Sequence, residues 1–285
     1  MWGVLLLILS LSVASADCGD IVARTLDHNI KFSDPNISRL KQLMTLYRDL
    51  SLSNVDNNKV TISGETDDHT WIAFLYDYFF YRFNPFISED NTCASFCNFR
   101  RGETDSPQDK GWRLSRALVD KTFSTSRGLF FYGAAGTGKS HLAIAAAREI
   151  FAKLPLDNLV VAEEKMTYLR WKSDVVNFMH RGNEVYITQK LKNSEIIVID
   201  DLNELNFSEQ REFFKILISF IHDNGGKKII ITSNLTPEQI FSRLFALEPA
   251  QRERYETRFF ARFLPIEFSG PQQRPVVTTN DFLDD

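Results

Sequence analysis

The sequence predicts an α/β fold: a five-stranded, mostly parallel sheet flanked by helices, with a smaller helical region ahead of it. Three observations predict it. From Gly128 onward, short apolar runs alternate with longer helical stretches, as strands joined by crossover helices do. The runs Ile196-Ile197-Val198-Ile199 and Ile229-Ile230-Ile231 are continuous and β-branched, as strands buried on both faces require. A glycine-rich turn, Gly133 to Gly138, separates the apolar run Leu129-Phe130-Phe131-Tyr132 from an Ala-rich helical stretch over residues 139–153.

Taken in order, residues 1–16 carry an apolar run at 4–13, closed by Ala14-Ser15-Ala16 ahead of Asp17. That is the pattern of a secretory signal peptide with its cleavage site. The run is shorter than the roughly 20 residues a membrane helix needs, so no integral membrane span is expected. An apolar first helix or a wrongly placed start codon would produce the same pattern. Residues 17–125 form an N-terminal helical and aromatic region without an assignable motif. It holds an amphipathic helix over 37–50, polar loops over 51–58 and 89–109, and an aromatic segment over 71–86. Arg82 is the single basic residue of that aromatic segment, which therefore reads as core or a partner-facing helix rather than a base-stacking platform.

Residues 126–268 carry the α/β pattern. Strands are expected at 129–132, 159–162, 196–199, 228–232 and 265–268, with helices near 139–153, 167–180, 210–223, 237–247 and 248–260. A polar tail over 269–285 reads as poorly ordered.

A chain of 285 residues can hold one substantial domain and a smaller one. With 44% hydrophobic and 25% charged residues it has the composition of a soluble globular protein. The formal net charge of −4 excludes an overall basic field for nucleic acid. A local patch of Lys165, Arg170, Lys172 and Arg181 is the candidate for DNA contacts, against the plainer reading of a solvated helix face. Three cysteines, Cys18, Cys93 and Cys97, are too few for a disulfide scaffold. Cys93 and Cys97 could close one loop disulfide or stay as thiols, and a metal site there lacks two further ligands.

Chemistry concentrates in three segments. Gly133-Ala134-Ala135-Gly136-Thr137-Gly138-Lys139-Ser140 matches the G-x4-G-K-S phosphate loop, between a strand and a helix as that motif requires. Its glycines let successive N–H groups face a phosphate, and the following helix adds its positive dipole end. Lys139 is expected to reach the β- and γ-phosphates of ATP, and Ser140 to coordinate magnesium. In the second segment, the strand 196–199 ends in Asp200-Asp201. Asp200 is expected to hold the magnesium and Asp201 to orient and polarise the attacking water. The third strand ends in Thr232-Ser233-Asn234, whose Asn234 can hydrogen-bond both the γ-phosphate and that water. Alone, an Asn in this position is more often a turn residue.

These segments resemble the initiator and helicase-loader group of the AAA+ ATPases typified by DnaA, DnaC and IstB. Gly136-Thr137-Gly138-Lys139-Ser140-His141-Leu142-Ala143 looks like that group's Walker A with its H-L-A, which adds His141 to the nucleotide-binding set. Ile199-Asp200-Asp201-Leu202 is similar to its Asp-Asp Walker B, and Thr232-Ser233-Asn234-Leu235-Thr236 to its sensor-one motif. Arg258-Phe259-Phe260-Ala261-Arg262-Phe263 resembles the DnaA box whose last arginine is a finger supplied to the neighbouring subunit. That match makes Arg262 the finger candidate and Arg258 the second. About 17 residues follow Phe268, too few for the helical lid of DnaA, which resembles the shorter IstB- and DnaC-like members. Arg262-Phe263-Leu264-Pro265 is also similar to the ZapE-like ATPases, whose Walker B differs.

The resemblance implies a magnesium-dependent ATPase working as a head-to-tail homo-oligomer on DNA or a partner helicase, in the cytoplasm or nucleus. A different reading, a secretory-pathway protein remodeller acting on a protein substrate, follows from the signal-like start. The glycosylation acceptor patterns Asn36-Ile37-Ser38 and Asn206-Phe207-Ser208 support it. Against it, Asn234-Leu235-Thr236 has the same pattern inside the expected site. A third and plainer reading is a nucleotide-dependent scaffold that hydrolyses ATP poorly.

Overall fold

Polar and apolar residues alternate over 59–63, the first part of the strand Lys59–Thr66 that forms the middle of a small antiparallel sheet. The structure is a computed structural model, and it describes residues 26–33, 37–56, 59–88, 91–120, 128–154, 164–171, 174, 184–203 and 208–270. The chain divides into two units, one of Met1–Cys93 with Arg148–Lys165, the other of Ala94–Ala147 with Met166–Asp285.

In the first unit, β1 (Leu26–Ser33), α1 (Ile37–Met44), β2 (Ser51–Asp56), β3 (Lys59–Thr66) and α2 (Asp68–Phe83) follow one another. The sheet order is β1-β3-β2, both pairs antiparallel, with Leu52 facing Ile62 across β2 and β3. Two expectations are corrected here. The helix expected over 37–50 ends at Met44, where the chain tightens into i→i−3 bonds at Thr45, Leu46 and Tyr47. The segment read as a polar loop over 51–58 is largely β2, because pairing with β3 outweighs its weak intrinsic strand signal. The aromatic segment is core: Trp71, Phe74, Tyr78, Phe80 and Tyr81 are all buried along α2. Arg148 forms an ion pair with buried Asp77 of α2, and the Tyr47 hydroxyl donates to the same carboxylate at 2.5 Å.

In the second unit, α3 (Pro107–Val119) precedes β4 (Gly128–Gly133), α4 (Lys139–Phe151), whose last turn is counted with the first unit, and β5 (Met166–Arg170). Then come α5 (Glu184–Asn193), β6 (Ile196–Asp200), α6 (Ser208–Asp223), β7 (Lys228–Ser233), α7 (Pro237–Leu244), α8 (Pro249–Arg262) and β8 (Phe263–Phe268). The five strands form one sheet in the order β5-β6-β7-β4-β8, every neighbouring pair parallel. Phe130, Ile197, Ile199, Ile229 and Ile231 pack with Phe213, Phe214, Leu217, Phe241 and Phe259 from α6, α7 and α8. The alternate residues point to the other face, where the Phe131 and Phe268 ring centroids lie 5.1 Å apart. Gly111 lets α3 come close there: a Cβ on it would lie 2.4 Å from Phe268 Cζ and 3.5 Å from Leu142 Cδ1.

The helix expected from residue 167 is corrected at its start. Residues 166–170 form β5, not the start of a helix over 167–180, because Met166–Leu169 are buried in register with Ile196–Ile199. The strand expected over 159–162 lies outside the described residues, as do the signal-like segment 1–16, Cys18, Asn36, Lys172, Arg181, Asn206 and tail residues 271–285. Cys93 and Cys97 are free thiols. Among the described residues no helix is long and apolar enough to cross a membrane.

Candidate active site

The strand order decides where the chemistry gathers. The chain leaves β4, crosses to the edge strand β5, and returns through β6 and β7 to lie beside β4. The carboxyl ends of β4, β6 and β7 therefore open side by side, the usual ligand edge of an open parallel sheet.

Gly133 closes β4 at φ 124°, and a Cβ there would lie 2.3 Å from the Phe268 carbonyl oxygen of β8. Only glycine fits. Gly136 and Gly138 follow at φ 77° and 96°, so the turn winds through left-handed conformations before α4 begins at Lys139. The Thr137 hydroxyl ties the turn by donating to the Ala134 carbonyl at 2.8 Å. Lys139 is 6% exposed, and its ammonium donates to the Gly133 and Ala134 carbonyls at 2.9 and 2.6 Å. Burial pushes its pKa below the ordinary lysine value, although Asp201 and Asp200 act against that. A buried ammonium held only partly by carboxylates fits an anionic ligand in the turn.

The Ser140 hydroxyl, one residue into α4, donates to Asp200 Oδ1 at 2.7 Å. Asp200 ends β6 at 5% exposure, and two further hydroxyls compensate it. Thr232 of β7 donates to the same oxygen at 2.6 Å, and Tyr168 of β5 donates to Oδ2 at 2.7 Å. Burial, then the Asp200 charge, raises the Tyr168 pKa well above the ordinary phenol value, so this hydroxyl remains a donor. Ser140 and Asp200 present hard oxygen donors, the type magnesium takes. Magnesium keeps several waters and few protein ligands, so two such oxygens fit it. Among the described residues no group of three or more His, Cys, Asp or Glu gathers for another metal.

Asp201 follows at φ 62°, exposed to solvent, with its N–H donating to Thr232 Oγ1 at 3.0 Å. Partial desolvation, then the neighbouring Asp200 charge, pushes its carboxyl above the ordinary range; Asn203, Arg170 and Lys139 act the other way. Asn234 is exposed in the turn between β7 and α7, and α7 starts with a capping box of Thr236 and Gln239. The phosphate-loop residues, Asp200, Asp201 and Asn234 are thus brought to one edge.

The remaining candidates sit differently. His141 is turned to residues 95–99: its Nε2 lies 2.9 Å from the Ser95 carbonyl oxygen, and its ring centroid 5.5 Å from that of Phe99. A carbonyl only accepts, so Nε2 carries the proton, and burial lowers the His141 pKa. Arg262 is 7% exposed at the amino end of β8, the sheet edge opposite the phosphate loop, and its Nε donates to the Ile221 carbonyl at 3.1 Å. Glu256 pairs with Arg252 at 3.4 Å, and Arg258 donates to Ser219 Oγ at 3.2 Å.

Sequence reasoning missed Tyr168, Arg170 as a neighbour of the acids, Thr232 as a ligand of Asp200, and Asn203. Arg170 stands opposite Asp200 in the β5–β6 register. The polar Thr232 at the end of an Ile run was the one available signal.

The model of the bacterial DnaA ATPase domain matches residues 91–258, more than half of the chain. The chain belongs to that family. It is an AAA+ ATPase domain of the DnaA kind, an ATP-binding fold, and the match takes in α3 and the 95–99 turn beside His141. The chromosomal replication initiator protein DnaA of Streptococcus mutans serotype c is 28% identical over 166 residues, covering 55% of this chain and 34% of that one. DnaA of Streptococcus thermophilus is 26% identical over 207 residues, 70% of this chain and 42% of that one. The chain therefore spans only a third to two-fifths of these relatives. The solved structure of DnaI matches with a TM-score of 0.50 at 20% identity, over 66% of this chain and 95% of that one, a likeness of fold.

Proposed function

We propose that this DnaA-family chain hydrolyses ATP with magnesium, and that it works as a head-to-tail oligomer on DNA or on a partner helicase. The observation that carries the hydrolytic reading is the 2.7 Å contact between Ser140 of the phosphate loop and Asp200, with Asp201 beside it. The backbone N–H groups of the turn and the Lys139 ammonium bind the phosphates. Ser140 and Asp200 hold magnesium, which supplies charge neutralisation at the β- and γ-phosphates when bound. Asp201 accepts a hydrogen bond from the attacking water and turns its lone pair toward phosphorus. Asn234 reads the γ-phosphate from the next turn.

Assembly rests on the resemblance around Arg262. As a finger, Arg262 would have to leave the Ile221 carbonyl and enter the site of the next subunit, which a buried arginine does only when the interface offers a stronger anion. The relatives named for chromosomal replication initiation favour DNA, or a protein acting on it, as the partner class.

The test is steady-state ATP turnover of the full chain. Turnover should require magnesium and disappear with a chelator. Asp201→Asn should keep ATP binding and lose about 100-fold or more in kcat, the scale of a lost general base. Turnover by Asp201→Asn at the native rate, or none by the native chain, contradicts the reading.

A further inference from the structure

Asn203 lies two residues beyond Asp201 in the turn after β6, and it touches both halves of the candidate site. Its Nδ2 donates to Asp201 Oδ1 at 3.0 Å. Its Oδ1 accepts the Asn234 N–H and lies 3.3 Å from the Ser233 hydroxyl oxygen. The partners dictate the orientation of this amide: a carboxylate oxygen only accepts, and a backbone N–H only donates. The same turn is braced through the backbone. Asn203 N–H donates to the Asp201 carbonyl at 2.7 Å, Leu202 N–H to the Thr232 carbonyl at 2.9 Å, and the Ser233 hydroxyl to the Leu202 carbonyl at 2.6 Å.

That bracing has a purpose in the geometry. Asp201 is in the left-handed region at φ 62°, uncommon for a residue with a side chain, and such a conformation persists where the surroundings over-determine it. Its carboxylate is exposed, so without a donor it would sample several rotamers. We propose that Asn203 is the positioning residue that locks the Asp201 carboxylate to the Asn234 turn. The group that orients water and the group that reads the γ-phosphate then keep a single spacing. The inference rests on the ATP-hydrolysis reading above and adds to it a residue that acts through Asp201 and Asn234.

The chemistry at this position is restrictive. Aspartate would lose the donor and set a third carboxylate beside Asp200 and Asp201. Alanine would remove both ends of the bridge, leaving the Asn234 N–H without this acceptor. Glutamine keeps donor and acceptor one methylene further out. A residue that merely caps its own turn would change folding and nucleotide binding together, whereas a positioning residue separates turnover from binding.

The experiment compares the native chain, Asn203→Ala and Asn203→Gln. It measures magnesium-dependent kcat, affinity for a non-hydrolysable ATP analogue, and hydrogen exchange at the Asn234 amide. Asn203→Ala should lower kcat about tenfold to a hundredfold, the cost of a small misplacement of a reacting group, with analogue affinity held within about twofold. Exchange at Asn234 should rise about tenfold, and Asn203→Gln should recover part of both changes. If Asn203→Ala does not fold, Asn203→Ser serves the same comparison. An unchanged kcat, a kcat that falls only in step with affinity, or unchanged exchange at Asn234 overturns the proposal. A native chain without turnover contradicts the ATPase reading alone, and the Asn234 exchange still decides whether Asn203 forms the bridge.

Discussion

A carboxylate at 5% exposure needs donors, and Asp200 draws them from α4, β5 and β7 through Ser140, Tyr168 and Thr232. Hydrogen bonds to a charged group are worth about 1.5–3 kcal/mol each, so Tyr168→Phe should lower unfolding stability by about that much, read from urea melts. A loss near zero would mean that the Asp200 charge is held without Tyr168. Asp200, Asp201 and Asn234 were legible in the sequence, because they stand within three residues of the end of an apolar run and a strand end has a fixed place in a parallel sheet. Tyr168, Arg170 and Asn203 were not. Tyr168 and Arg170 matter because β5 is the neighbour of β6, and strand order is a long-range property that no local pattern carries. Asn203 matters through contacts to the turn after β7, 31 residues further on.

At the scale of elements, burial overrode local texture more than once. Residues 166–170 carry no strand signal strong enough to separate them from the helical pattern of 171–180, yet pairing with Ile196–Ile199 makes them a strand. The aromatic run of α2 was legible as core or a partner-facing helix because Arg82 is its single basic residue. Phe80 is fully buried against Phe151, at 5.7 Å between ring centroids, so Phe80→Ala should cost about 3–5 kcal/mol. A cost below about 1 kcal/mol by the same melts would show that this packing closes over the gap.

The start of α3 gives a pH prediction. Asp109 is 1% exposed; burial works to raise its pKa, but the hydrogen bond from Arg101, the Asp105 N–H and the Arg101 and Arg113 charges hold it below the ordinary carboxylate value. A depressed folded-state pKa contributes stability that is present above the unfolded value of about 3.9 and is lost as pH falls through the folded value. The native chain should therefore lose melting temperature below about pH 4 more steeply than Asp109→Asn. Parallel curves for the two proteins would contradict the ion cluster.

At the scale of the molecule, the sheet separates two kinds of chemistry. The phosphate loop and the acids occupy the carboxyl edge, and Arg262 the amino edge where β8 begins. An arginine placed that way cannot serve its own site, so assembly is the proposal that gives it a role in turnover. ATP turnover per protomer should then rise with protein concentration in the native chain and stay flat and low in Arg262→Ala. A concentration-independent rate, equal in the two proteins, would remove the oligomer from the account while leaving the phosphate loop untouched.

The claim on which the rest depends is that residues 133–140 cradle the phosphates of ATP with Lys139 as the buried cation. Calorimetric titration of ATP with magnesium into the native chain and into Lys139→Ala, with melting curves recorded for both, tests it most directly. The account predicts saturable binding by the native chain and a loss of about 100-fold or more in the variant, about 2.7 kcal/mol, with the melting temperature of the nucleotide-free proteins little changed. Equal affinity in the two proteins would contradict it.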